Sequence, residues 1–126
     1  MNDLPFQLDP DDATPLYEQI KRQLKELIMS RILLPGSPLP SIRALAEQLK
    51  VSVITTRRVY QDLEREGWLR SEQGRGTFVR ERSEDEVWAE RLKLAEETLR
   101  QAVERCQRLG LKTEDIASLL DDLLRS

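Results

Sequence analysis

The sequence contains no histidine and a single cysteine among its 126 residues. Without histidine there is no imidazole to serve as a general base near neutral pH or to ligate a metal. With one cysteine, Cys106, neither an internal disulfide nor a cysteine cluster for metal can form. No phosphate loop is present, and no nucleophile stands at readable spacing from a base. No catalytic residue, no metal site and no cofactor is therefore expected, and the chain is not expected to be an enzyme. Asp121-Asp122 and Glu96-Glu97 read as exposed helical charge rather than acid–base couples. No apolar run approaches the roughly 20 residues of a membrane span, and the first residues carry no apolar signal region. Together with the lone cysteine, this predicts a cytoplasmic protein with no membrane association.

Charge is abundant, 34% of residues, with a formal net of −3. That sign argues against nucleic acid until the chain is divided. Residues 11–82 carry 13 Lys/Arg against 10 Asp/Glu, whereas residues 83–126 carry 7 against 11. A mildly basic middle followed by an acidic tail is the distribution expected if only the middle meets phosphates.

The middle centres on residues 39–79. Ile42, Leu45, Ala46 and Leu49 recur at three- and four-residue spacing, one apolar stripe of a short helix, with Ser41 placed to cap it. Lys50-Val51-Ser52 is a tight polar turn, pinned by Val51. Ser52 is the next N-cap candidate, and a second helix is predicted over residues 53–66 with Thr56, Val59, Tyr60 and Leu63 inside. Gly67 stands where a left-handed residue closes a helix. Ser52, Val53, Ile54, Thr55, Arg57 and Arg58 remain at the start or on the outside of this second helix, the arrangement of a helix-turn-helix recognition helix. Residues 68–79 then read as a small hairpin, with Trp68 and Phe78 as its core and Gly74-Arg75-Gly76 at its tip. The glycines allow close backbone approach, and Arg75 supplies charge there. The unit is a winged helix-turn-helix.

Upstream, residues 14–33 form a first helix, with Thr14 as cap, Pro15 at its first position and Leu16, Ile20, Leu24, Leu27 and Ile28 as its core stripe. Pro35-Gly36-Ser37-Pro38 stops it. In the N-terminal arm, residues 1–12, Phe6-Gln7-Leu8 either adds a strand to the wing sheet or lies over the core.

These features, in this order, carry a resemblance. Leu39-Pro40-Ser41-Ile42-Arg43-Ala44-Leu45-Ala46, Val51-Ser52, Glu66-Gly67 and Gly74-Arg75-Gly76-Thr77-Phe78-Val79 resemble the DNA-binding domain of the GntR family of bacterial transcription regulators. Val51 to Tyr60, with Pro15-Leu16-Tyr17-Glu18-Gln19-Ile20 upstream and a short helical tail, is similar to the YtrA-like subfamily. The resemblance implies that Arg43, matching the family's Pro-Ser-x-Arg arginine, contacts DNA, and that the regulated genes are a transporter operon. Many family members carry an arginine directly after the turn serine. Here that position is Val53, so Val53 and Ile54 are candidates for thymine methyl contacts instead. The DNA-contacting set is then Ser41, Arg43, Ser52, Val53, Ile54, Thr55, Arg57, Arg58, Gly74, Arg75 and Gly76. Arginine either reads guanine edges or grips phosphate; Ser52 and Thr55 either cap the helix or bond phosphate, or do both.

In the tail, residues 81–126, Trp88, Leu92, Ala95, Leu99, Ala102, Cys106 and Leu109 alternate gaps of four and three, a heptad seam flanked by Val103. Gly110 ends that helix. A last one, capped by Thr113, carries Ile116, Leu119, Leu120, Leu123 and Leu124. Two such helices cannot bury both stripes alone. The tail is therefore predicted to be an antiparallel hairpin that dimerises through Trp88, Leu92, Leu99, Val103, Cys106, Leu109, Ile116, Leu120, Leu123 and Leu124. Trp88 either anchors packing or lines an inter-domain cleft, and Cys106 is expected to be a small buried apolar residue rather than a redox sensor. The tail is too short for a separate ligand-binding domain, so any small-molecule effector would bind between the modules or at the dimer seam and alter the spacing of the recognition helices.

The expected protein is mainly α: a winged helix-turn-helix over residues 1–80 and a helical dimerisation hairpin over 81–126. Its expected function is sequence-specific binding of double-stranded DNA as a homodimeric repressor, on a palindromic operator with half-sites about one duplex turn (~10 bp) apart. The alternative is a winged-helix adaptor that binds protein and has no operator of its own.

Overall fold

The computed structural model describes residues 3–126. The chain divides into two compact units, one ending at Arg82 and the other spanning Ser83–Ser126. The first contains α1 (Leu16–Met29), α2 (Ile42–Leu49), α3 (Val53–Arg65), β1 (Leu69–Glu72) and β2 (Gly76–Val79); the second contains α4 (Glu84–Arg108) and α5 (Thr113–Arg125).

Each helix of the first unit closes around one shared core. Ile20 and Leu24 of α1, Leu45 of α2, and Val59 and Leu63 of α3 are completely buried, with Trp68, Leu69 and Val79 from the hairpin beside them. Removing each such side chain from water contributes roughly 1.5–3 kcal/mol. Thr56 is also fully buried, its hydroxyl donating to the Ser52 carbonyl. Tyr60 donates its buried hydroxyl to the Pro40 carbonyl at 2.7 Å, tying α3 to the start of α2. Burial pushes the Tyr60 phenol up, so it stays a neutral donor.

Chain reversals are local. Ser41 and Ser52 accept the backbone N–H of Ala44 and Thr55, respectively, each at 3.0 Å, a cap worth about 1 kcal/mol. The turn between α2 and α3 runs through Lys50 in the left-handed conformation (φ 57°), with the Val51 N–H returning to the Ala46 carbonyl. After α3, Gly67 (φ 87°) allows the Trp68 N–H to reach the Leu63 carbonyl and drops Trp68 into the core.

Two details differ from the sequence reading, and another decides between its two alternatives for the arm. The first helix starts and stops short of prediction. Pro15 is its N-cap, while Thr14 gives its N–H to the Asp12 carboxylate instead of capping; these bonds hold the Asp12 carboxyl below its ordinary range. The helix ends at Met29 because Arg31 turns left-handed (φ 62°) and the Leu33 N–H returns to the Leu27 carbonyl, which buries Leu33. A non-glycine left-handed residue gives no warning in sequence.

Secondly, the edge of the wing is covered by residues 36–39, not by the arm. β1 and β2 pair antiparallel with Leu69 opposite Val79 and Glu72 opposite Gly76. Along the other side of β2, Gly36 donates to Val79, Val79 to Ser37 and Leu39 to Thr77. The arm instead lies on the helices: Gln23 exchanges both amide hydrogen bonds with the Gln7 backbone, Gln19 does the same with Asp9, and Gln48 reaches the Leu4 carbonyl. Gln19 is buried because its amide satisfies Asp9 and Thr14 together.

Thirdly, Thr113 is the first residue of α5 rather than its cap; the N–H of Lys112 is accepted by the Asp115 carboxylate. Within the second unit, Gly110 (φ 94°) and the Leu111 N–H returning to the Cys106 carbonyl turn the chain back. Leu99, Ala102, Val103 and Cys106 of α4 then line a groove of about 230 Å³ with Ile116, Leu119, Leu120 and Leu123 of α5. No residue from 83 to 126 is buried.

Candidate nucleic-acid interface

With Thr56, Val59, Tyr60 and Leu63 of α3 turned into the core, the opposite stripe of that helix is left in solvent. Ile54 is 76% exposed, and Arg57, Arg58 and Gln61 are exposed at the three- and four-residue steps that follow it. Arg57 has no ion pair or side-chain hydrogen bond among the described residues, nor does Arg43 at the start of α2. Arg58 differs. Its guanidinium lies over the Tyr17 ring of α1, 4.3 Å from the centroid. Sequence reasoning assigned no role to Tyr17 or Gln61. Gln61 was detectable, since it follows Arg57 by four positions, whereas the Tyr17 contact joins residues far apart in the chain.

At the start of α3, the Ser52 hydroxyl both accepts the Thr55 N–H and donates to the Thr55 hydroxyl at 2.8 Å. The Thr55 hydroxyl keeps its proton for an outside acceptor. Val53 is half-buried, leaving Ile54 as the more exposed of the two apolar residues here. Ser41 is exposed beside Arg43, one cap and one cation at the same helix end.

The wing turn is Gln73-Gly74-Arg75, closed by the Arg75 N–H on the Glu72 carbonyl. Arg75 is paired with the Glu72 carboxylate at 3.0 Å, and its side chain remains 74% exposed. Arg70 also pairs with Glu72, and the guanidinium groups of Arg70 and Arg75 lie 5.0 and 5.9 Å from the Phe78 ring centroid. Gly74 and Gly76 take positive φ (78° and 117°) with open space around them, so the tip backbone is accessible. Trp68 is wing core, with Lys25 and Arg82 over its ring.

A second ion-paired cluster fixes α1 against the end of α3. Glu66 bridges Lys21 and Lys25. Partial burial alone would raise the Glu66 pKa, but the hydrogen bond from Lys21 and the charges of both lysines outweigh it and hold the carboxyl below its ordinary value.

Of the residues expected to dimerise, Leu99, Val103, Cys106, Ile116, Leu120 and Leu123 line the α4–α5 groove. Trp88 and Leu92 stand on the N-terminal part of α4, each about half exposed, with Arg91 over the Trp88 ring. Leu109 and Leu124 are at helix ends and roughly three-quarters exposed.

An exposed recognition helix behind a tight turn, with a cationic wing beside it, defines a winged helix-turn-helix protein. The sequence pattern described as "Bacterial regulatory proteins, gntR family" matches residues 16–79. The chain belongs to this family and is a DNA-binding transcription regulator. It is 33% identical over 118 residues to the HTH-type transcriptional repressor YtrA of Bacillus subtilis, covering 94% of this chain and 91% of that one. A GntR family transcriptional regulator from Listeria monocytogenes superposes with a TM-score of 0.76 at 25% identity, over 89% of this chain and 97% of that one. The AraR DNA-binding domain, solved in complex with operator ORX1, gives 0.55 at 32% identity over 63% and 99% of the two chains. Among the described residues, no helix is long and apolar enough to cross a membrane, and no group of His, Cys, Asp and Glu side chains could hold a metal ion.

Proposed function

We propose that the protein is a homodimeric, cytoplasmic repressor that places two copies of α3 in successive major grooves of a palindromic operator. The carrying observation is the outer stripe of α3: Ile54, Arg57, Arg58 and Gln61 are exposed, and among the described residues no acidic partner neutralises either arginine. Arginine pairs bidentately with guanine, glutamine with adenine, and an aliphatic side chain packs on a thymine methyl. Arg43, Thr55 and Arg75 flank that stripe as backbone or minor-groove contacts. Dimerisation is supported by the second unit, where Leu99, Val103, Leu119, Leu120 and Leu123 are all more than a third exposed around one groove. A contiguous apolar surface of this kind marks an interaction site, and a second copy of the hairpin is self-complementary to it. Repression is supported by the name of the Bacillus relative, and a transporter operon as target by the YtrA-like sequence pattern.

The test is fluorescence anisotropy on duplex tiles from the promoter upstream of the protein's own gene, across a salt series. Tight binding to one tile is expected, weakened steeply by salt and by Arg43→Ala and Arg57→Ala. Uniformly weak binding to every tile would remove the operator reading and favour the protein-binding adaptor. Sedimentation of the free protein tests the dimer separately.

A further inference from the structure

Among the described residues, the sole ring contact between α1 and the outer stripe of α3 is that of Tyr17 with Arg58. We propose that Tyr17 is a positioning residue for DNA recognition: its ring holds the Arg58 guanidinium in place for an anionic or guanine acceptor. The inference rests on the DNA-binding reading above and extends it to a helix outside the helix-turn-helix.

Arginines of this protein are held in two ways, by carboxylates and by aromatic rings. Arg65 is paired with Asp62, Arg70 and Arg75 with Glu72, and Arg100 with Glu96. A carboxylate fixes a guanidinium but neutralises its charge and occupies its donors. An aromatic face does neither. Stacking uses the flat face of the guanidinium and leaves its five N–H donors, which lie in the plane, free to bond. Arg58 is exposed with its guanidinium carbon over the ring, 4.3 Å from the centroid, the separation that stacking gives, so it keeps both charge and donors while losing rotational freedom before DNA arrives. Lys21 is 6.0 Å from the same ring, but its ammonium is committed to Glu66. Lys21 therefore braces the α1 side of the arrangement, and Arg58 is the cation offered outward.

The experiment compares the full chain with Tyr17→Phe, Tyr17→Leu, Arg58→Ala and the Tyr17→Leu/Arg58→Ala double variant, by anisotropy on the operator tile. Tyr17→Phe is expected to bind as wild type, because the ring is retained. Tyr17→Leu should bind roughly two- to fivefold more weakly per recognition helix, the range for an exposed cation–π interaction, and should add nothing in the Arg58→Ala background. A loss uniform across base-pair variants of the operator, with a shallower salt slope, would mark a phosphate as the partner; a loss confined to one base pair would mark a guanine edge. In the DNA-free protein, the Arg58 Nε–H resonance should show a ring-current shift that survives Tyr17→Phe and disappears in Tyr17→Leu. Wild-type affinity in Tyr17→Leu, an equal loss in Tyr17→Phe, a loss that persists without Arg58, or an unmoved resonance would each overturn the proposal. Failure of the wild type to bind any tile would overturn the operator reading proposed above and this role with it. The NMR measurement, which needs no DNA, separates that case from failure of the stacking.

Discussion

The two units use the same vocabulary, capped amphipathic helices closed by left-handed residues, yet only one of them has an interior. α1, α2, α3 and the hairpin bury Ile20, Leu24, Leu45, Val59, Leu63, Trp68 and Val79 almost completely. α4 and α5 bury nothing, although α5 has an apolar stripe as clear as that of any helix in the first unit. The difference is the number of layers. Three helices and a hairpin enclose a volume, whereas two helices can only line a groove, which on the proposed reading a second copy fills. Stability in the first unit should therefore be an intramolecular property, and in the second a property of concentration.

The sharpest way to break this contrast is a matched pair of truncations. Leu63→Ala should cost about 2–5 kcal/mol at any protein concentration, read as a lowered melting transition. Leu120→Ala should leave the first unit's transition in place and act on self-association, read by sedimentation; an equal, concentration-independent loss from both would show that the hairpin has a core of its own. Next in size is Arg57→Ala, expected to weaken operator binding by about 1–3 kcal/mol for each bidentate arginine–base pairing it removes, without changing either the melting transition or self-association. A smaller effect sharpens the comparison. Ser52 and Ser83 both cap a helix through the N–H three residues on. Ser52→Ala should lower stability by about 1 kcal/mol, because α3 is cooperative with a core. Ser83→Ala should fray only the start of α4, seen as a small loss of circular dichroism and no shift in the melting of the first unit.

The smallest effect concerns pH. Because Lys21 and Lys25 hold the Glu66 pKa below its unfolded value, the folded state binds fewer protons there than the unfolded state. Its contribution is present above the ordinary carboxylate range and is lost as pH falls through the depressed folded pKa. Glu66→Gln should lower stability modestly near neutrality and flatten the acid side of the profile in that window, measured by melting across pH. Glu66 is partly exposed, so the change should be slight.

The helix-turn-helix was legible because it is built from short-range rules. Three- and four-residue spacing chose the buried face of each helix, Ser41 and Ser52 marked their starts, and Gly67, Gly74 and Gly76 marked the reversals. Once Thr56, Val59, Tyr60 and Leu63 are committed to the core, Arg57 and Arg58 have to stand outside it. The hairpin tail was readable for the same reason, from its heptad gaps and Gly110. The end of α1 was not, because Arg31 takes a left-handed conformation that the sequence associates with glycine, and the Leu33 side chain reaching the core is what holds it there.

Periodicity and capping thus settle element type, order and inward face, since each depends on residues within one or two turns. Pairing partners are another matter. Which segment covers the wing edge, how three glutamine amides tie the arm across α1 and α2, and which of two adjacent arginines finds an aromatic ring all join residues 10 to 44 positions apart. Those partners are chosen by the geometry of packed helices, after the local rules have been satisfied. That is why Arg57 and Arg58 look alike in the chain and differ in the fold.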